Sequence, residues 1–178
     1  MSYLKKPWLK YYPPDIPYEV EIPEVPVYKL IDEAIKKFGE KFSMIYYGNK
    51  IKYRELGTYI EKMASALYNL GIEKNDVVAI YLPNCPQFTI CYYAIQKIGA
   101  IPMAVNFLYS QREIRHQLED SRARCIIMID LLYKKMKPLI DDLKIDKLIL
   151  TDISYYMPYI KKKLSILLGK MPKAKIPK

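Results

Sequence analysis

The sequence is poor in the residues that most often carry chemistry. Its single histidine, His116, and its three cysteines, Cys85, Cys91 and Cys125, make no Cys-x-x-Cys pair and no Cys/His cluster. A structural zinc site is therefore not expected. The thiols all sit in apolar surroundings, where a cysteine reads as a small core residue. A Ser-His-Asp or Cys-His pair would have to use His116, which lies in "REIRHQLED" on a helical pattern. A solvated or capping imidazole is the ordinary reading there. The six glycines, Gly39, Gly48, Gly57, Gly71, Gly99 and Gly169, are scattered, and Gly169-Lys170 lacks the upstream glycine of a Walker-type phosphate loop. Nowhere is there an apolar run of the ~18 residues that a transmembrane helix needs. The first stretch, "MSYLKKPWLKYYPPDIPYEVEIPEVPVY", lacks the apolar centre of a secretory signal, so a cytoplasmic location is expected.

What is present is a chain of 178 residues with 51% apolar content, enough for one domain with a buried core. The net charge of +10 comes mostly from one end. Asp152 is the last acid, and seven lysines follow it (Lys161, Lys162, Lys163, Lys170, Lys173, Lys175 and Lys178), without which the chain carries +3. The basic character belongs to a tail rather than a folded face, and nucleic acid is not an expected partner. Few amide residues, many Lys, Ile and Tyr, and 13 prolines suggest a hyperthermophile source.

Three segments are predicted. Residues 1–26 are rich in proline and aromatics and read as an extended arm, with Trp8, Tyr11 and Tyr12 as anchors. Residues 27–152 read as an α/β subdomain, and residues 153–178 as a basic C-terminal helix and linker. Within the subdomain, Val27, Leu30, Ile31, Ala34, Ile35 and Phe38 share a helical face that stops at Gly39. "SMIYYGNKIKY" predicts two strands turning at Gly48-Asn49. Leu56, Ile60, Met63, Leu67 and Leu70 predict a helix over 53–70, closed by Gly71. "DVVAIYL" is a strand, after which Asn84 and Pro86 serve as cap and first-turn proline of a helix that is apolar nearly all round and ends at Gly99. "AIPMAV" is a second strand, Ser110 and Glu113 make a capping box, "RCIIMI" is a third strand, "LLYKKMKPLIDDL" a helix interrupted at Pro138, and "DKLILT" a fourth strand. A final helix is expected over 155–168. Strands that are continuous apolar runs alternating with helices predict an α/β fold, a mostly parallel sheet flanked by helices on both faces.

In such a sheet ligands meet the carboxyl ends of the strands. Asn84 and Asn106 fall there, each with a bland alternative as helix cap or turn stabiliser. Taken in order, "IKYREL" (51–56), "LPNCPQF" (82–88), "IQKIGAIPMAVN" (95–106) and "REIRHQLEDSRA" (112–123) resemble the N-terminal region of AMP-forming acyl-CoA synthetases, the long- and medium-chain fatty-acid–CoA ligases above all.

The resemblance implies a partial N-terminal subdomain of the acyl-adenylating fold. Members of that family make an acyl-adenylate from ATP and a carboxylic acid, then transfer the acyl group to coenzyme A with magnesium bound. Their Ser/Thr/Gly-rich loop, ribose-binding Asp and catalytic Lys match no position of this sequence. No catalytic, cofactor-binding or metal residue is therefore assigned, and no cofactor is expected on this chain alone. Leu56, Ile60, Met63 and Leu67 are expected in the core; Asn84, Gly99 and Asn106 are expected to shape turns. The chain is expected to be inactive alone, either as a truncated or interrupted ligase or as one chain of a split enzyme whose partner is a second chain carrying the ATP-binding motifs. Alternatives are a self-associating or partner-binding module, peripheral membrane contact through Tyr156, Ile160, Leu164, Leu167 and Leu168 with the tail lysines, and a small flavodoxin-like binding domain.

Overall fold

The computed structural model describes residues 6–169. Its centre is a four-stranded, wholly parallel sheet of β3 (Val77–Tyr81), β4 (Ile101–Ala104), β5 (Cys125–Ile129) and β6 (Lys147–Thr151), in the order β4-β3-β5-β6. Ahead of it lie α1 (Val27–Phe38), a hairpin of β1 (Phe42–Tyr46) and β2 (Asn49–Lys52), and α2 (Tyr53–Asn69). The crossovers are α3 (Pro86–Lys97), α4 (Gln111–Ser121) and α5 (Tyr133–Asp142), and α6 (Tyr159–Leu167) follows β6.

Alternate strand residues feed two cores, as the period of two requires. Val78, Ile80, Cys125 and Ile127 pack with α2 and α3 on one face. Ala79, Tyr81, Ile126 and Met128 pack with α4 and α5 on the other. Every residue of β5 is buried, which explains why "RCIIMI" reads as an unbroken apolar run. β4 is only half-buried and stands at the sheet edge, where Pro102 costs least because it has no N–H for a second neighbour.

The helices end as their sequences dictate. Beyond α2, Gly71 takes φ +80°, its N–H bonds Tyr68 O at 2.9 Å, and Ile72 N–H reaches Leu67 O at 3.1 Å. This is a Schellman closure, sealed by contact between the fully buried Leu67 and Ile72. Ser110 Oγ accepts from Glu113 N–H while Glu113 bonds back to Ser110 N–H at 2.8 Å, the predicted capping box. Lys97 on α3 ties Asp32 of α1, at 3.0 Å, and Glu61 of α2 into one partly buried ion cluster.

Several local expectations are corrected. The hairpin turns at Tyr47-Gly48, one residue earlier than expected, because Tyr46 pairs with Asn49 and both turn residues have positive φ (50° and 91°). Cys85 rather than Asn84 is the residue before α3; Asn84 lies one step outside, exposed, with no capping bond. α5 runs through Pro138 without a break. Gly39 ends α1 as expected, in right-handed geometry. The last helix starts at Tyr159, because residues 153–156 form turns and Pro158 stands at its N-cap. In the arm, Pro7–Tyr11 make a short 3-10 helix, and Tyr11 is 77% exposed, so it anchors nothing.

Candidate functional site

All four parallel strands end on the same side, and the strand order reverses beside β3, since the chain steps to β4 and then back across β3 to β5. The crevice at such a reversal is where open α/β sheets present ligand-binding groups. That crevice lies between β3 and β5, and one strand over the tips of β5 and β6 hold a polar cluster. Asp152, just past β6, accepts from Ser154 N–H at 2.7 Å and from Ser154 Oγ at 2.6 Å, and its Oδ2 pairs with Lys162 Nζ at 2.8 Å. Burial opposes ionisation of Asp152, but the bonds from Lys162 and Ser154 outweigh it and hold the carboxyl below its ordinary range. Asp130, past β5, is shifted the other way, raised first by burial and then by the nearby charge of Asp152.

Gln87 crosses from the first turn of α3 to this cluster. Its Nε2 donates to Asp152 O at 2.9 Å and lies 3.4 Å from Thr151 Oγ1. Because a backbone carbonyl only accepts, the nitrogen must face Asp152, which fixes the amide orientation. Its Oε1 is buried with no donor among the described residues. The hairpin is stitched to the same end of the molecule. Tyr46 OH donates to Ile153 O at 3.1 Å, Asn49 Nδ2 to Tyr156 O at 2.9 Å, and Lys161 Nζ to Tyr47 O at 2.7 Å. Burial pushes the Tyr46 phenol up to about 12.

Beside β6 opens a cleft of about 390 Å³, lined by Tyr59, Lys62, Met63 and Ala66 of α2, Gln87, Ile90 and Cys91 of α3, Ile149 to Thr151 of β6, and Tyr155 and Tyr156. A smaller cleft of about 300 Å³ lies between the hairpin and the start of α3, with Asn84 and Cys85 in its lining.

The residues singled out in the sequence fall as follows. Leu56, Ile60 and Leu67 are buried, and Met63 is half-buried against them. Gly99 ends α3 with φ +79°. Asn106 Oδ1 accepts from Leu108 N–H at 3.0 Å, so it stabilises its own turn. His116 is exposed on α4, away from the strand tips. All three cysteines are buried and free; burial raises all three thiols, Cys91 and Cys125 to about 12. None is an activated nucleophile. Lys161 and Lys162, two of the lysines considered for lipid, are engaged by Tyr47 and Asp152. Lys170, Lys173, Lys175 and Lys178 lie outside the described residues. No helix of the described residues is long and apolar enough to cross a membrane, and no group of metal-binding side chains is found among them.

Sequence reasoning passed over Gln87, Asp130 and Asp152. Only Gln87 left a signal, as a lone amide in the first turn of an otherwise apolar helix. The two aspartates look like ordinary strand-end residues until the sheet brings their tips together.

This architecture has known counterparts. A long-chain-fatty-acid–CoA ligase from Archaeoglobus fulgidus shares the fold with a TM-score of 0.70 at 24% identity, over 78% of this chain and 31% of that one. The N-terminal subdomain of Klebsiella oxytoca NpsA, solved with anthranilyl-AMSN, superposes with a TM-score of 0.56 at 33% identity, over 58% of this chain and 27% of that one. The fold is thus that of the N-terminal subdomain of adenylating ligases.

The family model for AMP-binding enzymes matches residues 31–166, and the chain belongs to that family. A long-chain-fatty-acid–CoA ligase of Bacillus subtilis (strain 168) is 34% identical over 157 residues, and one of Escherichia coli O157:H7 is 28% identical over 177 residues. These alignments cover 88% and 98% of this chain but 28% and 32% of the relatives, so the chain spans about a third of their length.

Proposed function

We propose that this chain is the N-terminal scaffold of a fatty-acid–CoA ligase and that it is inactive without the rest of that enzyme. The complete ligase converts ATP, a fatty acid and coenzyme A to acyl-CoA, AMP and diphosphate. The carrying observation is the 34% identity to a long-chain-fatty-acid–CoA ligase along 88% of this chain, set against 28% coverage of that relative.

The chemistry of the strand tips agrees. Attack of a carboxylate on a phosphate needs donors and cations around the transferring phosphoryl oxygens. The groups gathered here are the carboxyls of Asp130 and Asp152 and the amide of Gln87, with Lys162 already paired to Asp152. A triphosphate does not fit this donor set, so no step of the reaction is assigned to these residues. ATP, magnesium and coenzyme A belong to the assembled ligase, and the scaffold supplies a packed sheet that carries the remainder. That remainder is either continuous with this sequence or a separate polypeptide.

The test is pyrophosphate release by the purified chain with MgATP and a long-chain fatty acid. None is expected, and robust release overturns the proposal. A second reading, self-association, is favoured by one observation: Tyr159, Ile160 and Leu167 on α6 are 76%, 79% and 82% exposed. Sedimentation over a wide concentration range decides it, and a strictly monomeric chain removes it.

A further inference from the structure

α6 sits on the body the wrong way round for a surface helix. Such helices turn their apolar stripe to the core and their charged residues to water. On α6 the two half-buried positions are Lys162 and Ser165, and no residue of the helix is buried. Ile160, Leu164 and Leu167, spaced four and three apart, share the opposite face, with Tyr159 at its start and Leu168 just past its end. All five are more than half exposed, Ile160 and Leu167 the most. Two lysines hold the helix in this pose: Lys162 Nζ pairs with Asp152, and Lys161 Nζ donates to Tyr47 O. Polar bonds on the inward side thus keep an apolar face turned outward.

The charge around that face selects its occupant. Seven lysines and no acid follow Asp152 in the sequence. Two copies meeting through α6 bring two such segments together, which like charge opposes. An anionic bilayer is attracted by the same lysines, each lysine near such a surface raising partitioning about fivefold. A bilayer also takes up Leu and Ile side chains without a shaped pocket, and it holds Tyr at headgroup level. We propose that α6 and the lysine-rich segment after it form a docking surface for anionic lipid bilayers, with Ile160, Leu164 and Leu167 entering the acyl-chain boundary. The inference goes beyond the function proposed above and stands without it. Long acyl chains partition into bilayers, so in a ligase this surface brings enzyme and fatty acid into one phase.

Vesicle flotation tests it. The full chain is mixed with vesicles of phosphatidylcholine alone, or of equal parts phosphatidylcholine and phosphatidylglycerol, and the floated fraction is measured. Strong flotation with the anionic vesicles and weak flotation with the neutral ones is expected. The double variant Ile160→Ser/Leu167→Ser should lower partitioning by about tenfold or more. Leu108→Ser, which alters a leucine at least as exposed on the loop after β4, should leave it unchanged. Insertion is read separately with Leu167→Trp in a Trp8→Phe background, where it is the one tryptophan of the chain. Brominated acyl chains should quench its fluorescence.

Absence of flotation, or equal flotation of the double variant, overturns the inference. So does flotation without quenching, which makes the lysines alone responsible. A chain that self-associates through Ile160 and Leu167 and does not float overturns it in favour of a second copy. The same pair is also made in a chimera in which this chain replaces the matched segment of the Bacillus subtilis ligase. Flotation of a cooperatively melting chimera that is insensitive to the pair overturns the inference too, because the remainder of the ligase then covers α6. Acyl-CoA synthesis by the chimera is scored separately and bears on the proposed function alone.

Discussion

Replacing Asp152 by Asn isolates the contribution of the polar cluster at the strand tips. The carboxylate accepts from Ser154 N–H, Ser154 Oγ and Lys162 Nζ at 2.6 to 2.8 Å, and so links the end of β6 to α6. Hydrogen bonds to a charged group contribute about 1.5–3 kcal/mol when well buried. The side chains of Asp152 and Lys162 are 44% and 34% exposed, so solvent screening reduces this to roughly 1–2 kcal/mol for Asp152→Asn. The backbone bond from Gln87 to Asp152 O survives the substitution, so β6 and the sheet stay in place.

The expected result is a small loss in urea midpoint with an unchanged slope, and faster proteolysis at Lys161–Lys163 as α6 loosens. The pH dependence has a definite sign. Because the folded Asp152 carboxyl titrates below its unfolded value, its contribution is intact above about pH 4, the usual unfolded range, and is lost as pH falls through the lower folded value. Asp152→Asn therefore flattens the acid limb of the stability profile. Equal midpoints and equal acid limbs for the two proteins would refute the cluster's role.

Other perturbations probe the rest of the body. Leu67→Ala empties a fully buried site in the closure of α2 and should cost about 2–5 kcal/mol, read by urea denaturation. Arg122 closes α4 at φ 53° in the left-handed region, so Arg122→Gly should stabilise by about 0.5–1 kcal/mol in the same assay. The buried thiols of Cys91 and Cys125, raised to about 12, favour the folded state fully below the unfolded thiol range near pH 8.5 and lose that effect as pH climbs toward 12. Stability should therefore decline above about pH 9, less steeply in Cys125→Ala than in the parent. The composition-based expectation of a hyperthermophile source is checked by calorimetry, where it requires a midpoint above about 90 °C.

The parallel sheet was legible because its strands are short, continuous apolar runs separated by helices with recognisable stops. Gly71 and Gly99 sit at positive φ where helices end, and Ser110 with Glu113 starts one, so local chemistry and the fold agree. Two of the misplaced elements show a local rule overridden by the contacts around it. Tyr47 accepts positive φ because the pairing of Tyr46 with Asn49 demands it, and α5 carries Pro138 through because Met136, Leu139 and Ile140 are buried in the second core.

The polar cluster was not legible. Gln87, Asp130 and Asp152 are far apart in sequence, and only the β3-β5-β6 order brings their strand ends together. The cleft beside β6 depends on how far the helical layer reaches, which no single segment encodes.

The most direct test of the central claim compares two proteins in one assay. AMP and acyl-CoA formation from MgATP, a long-chain fatty acid and coenzyme A is measured for the isolated chain and for the chimera with the Bacillus subtilis ligase. The account predicts no product from the chain alone and acyl-CoA from the chimera. Turnover by the isolated chain, or a folded chimera that makes no adenylate, contradicts it.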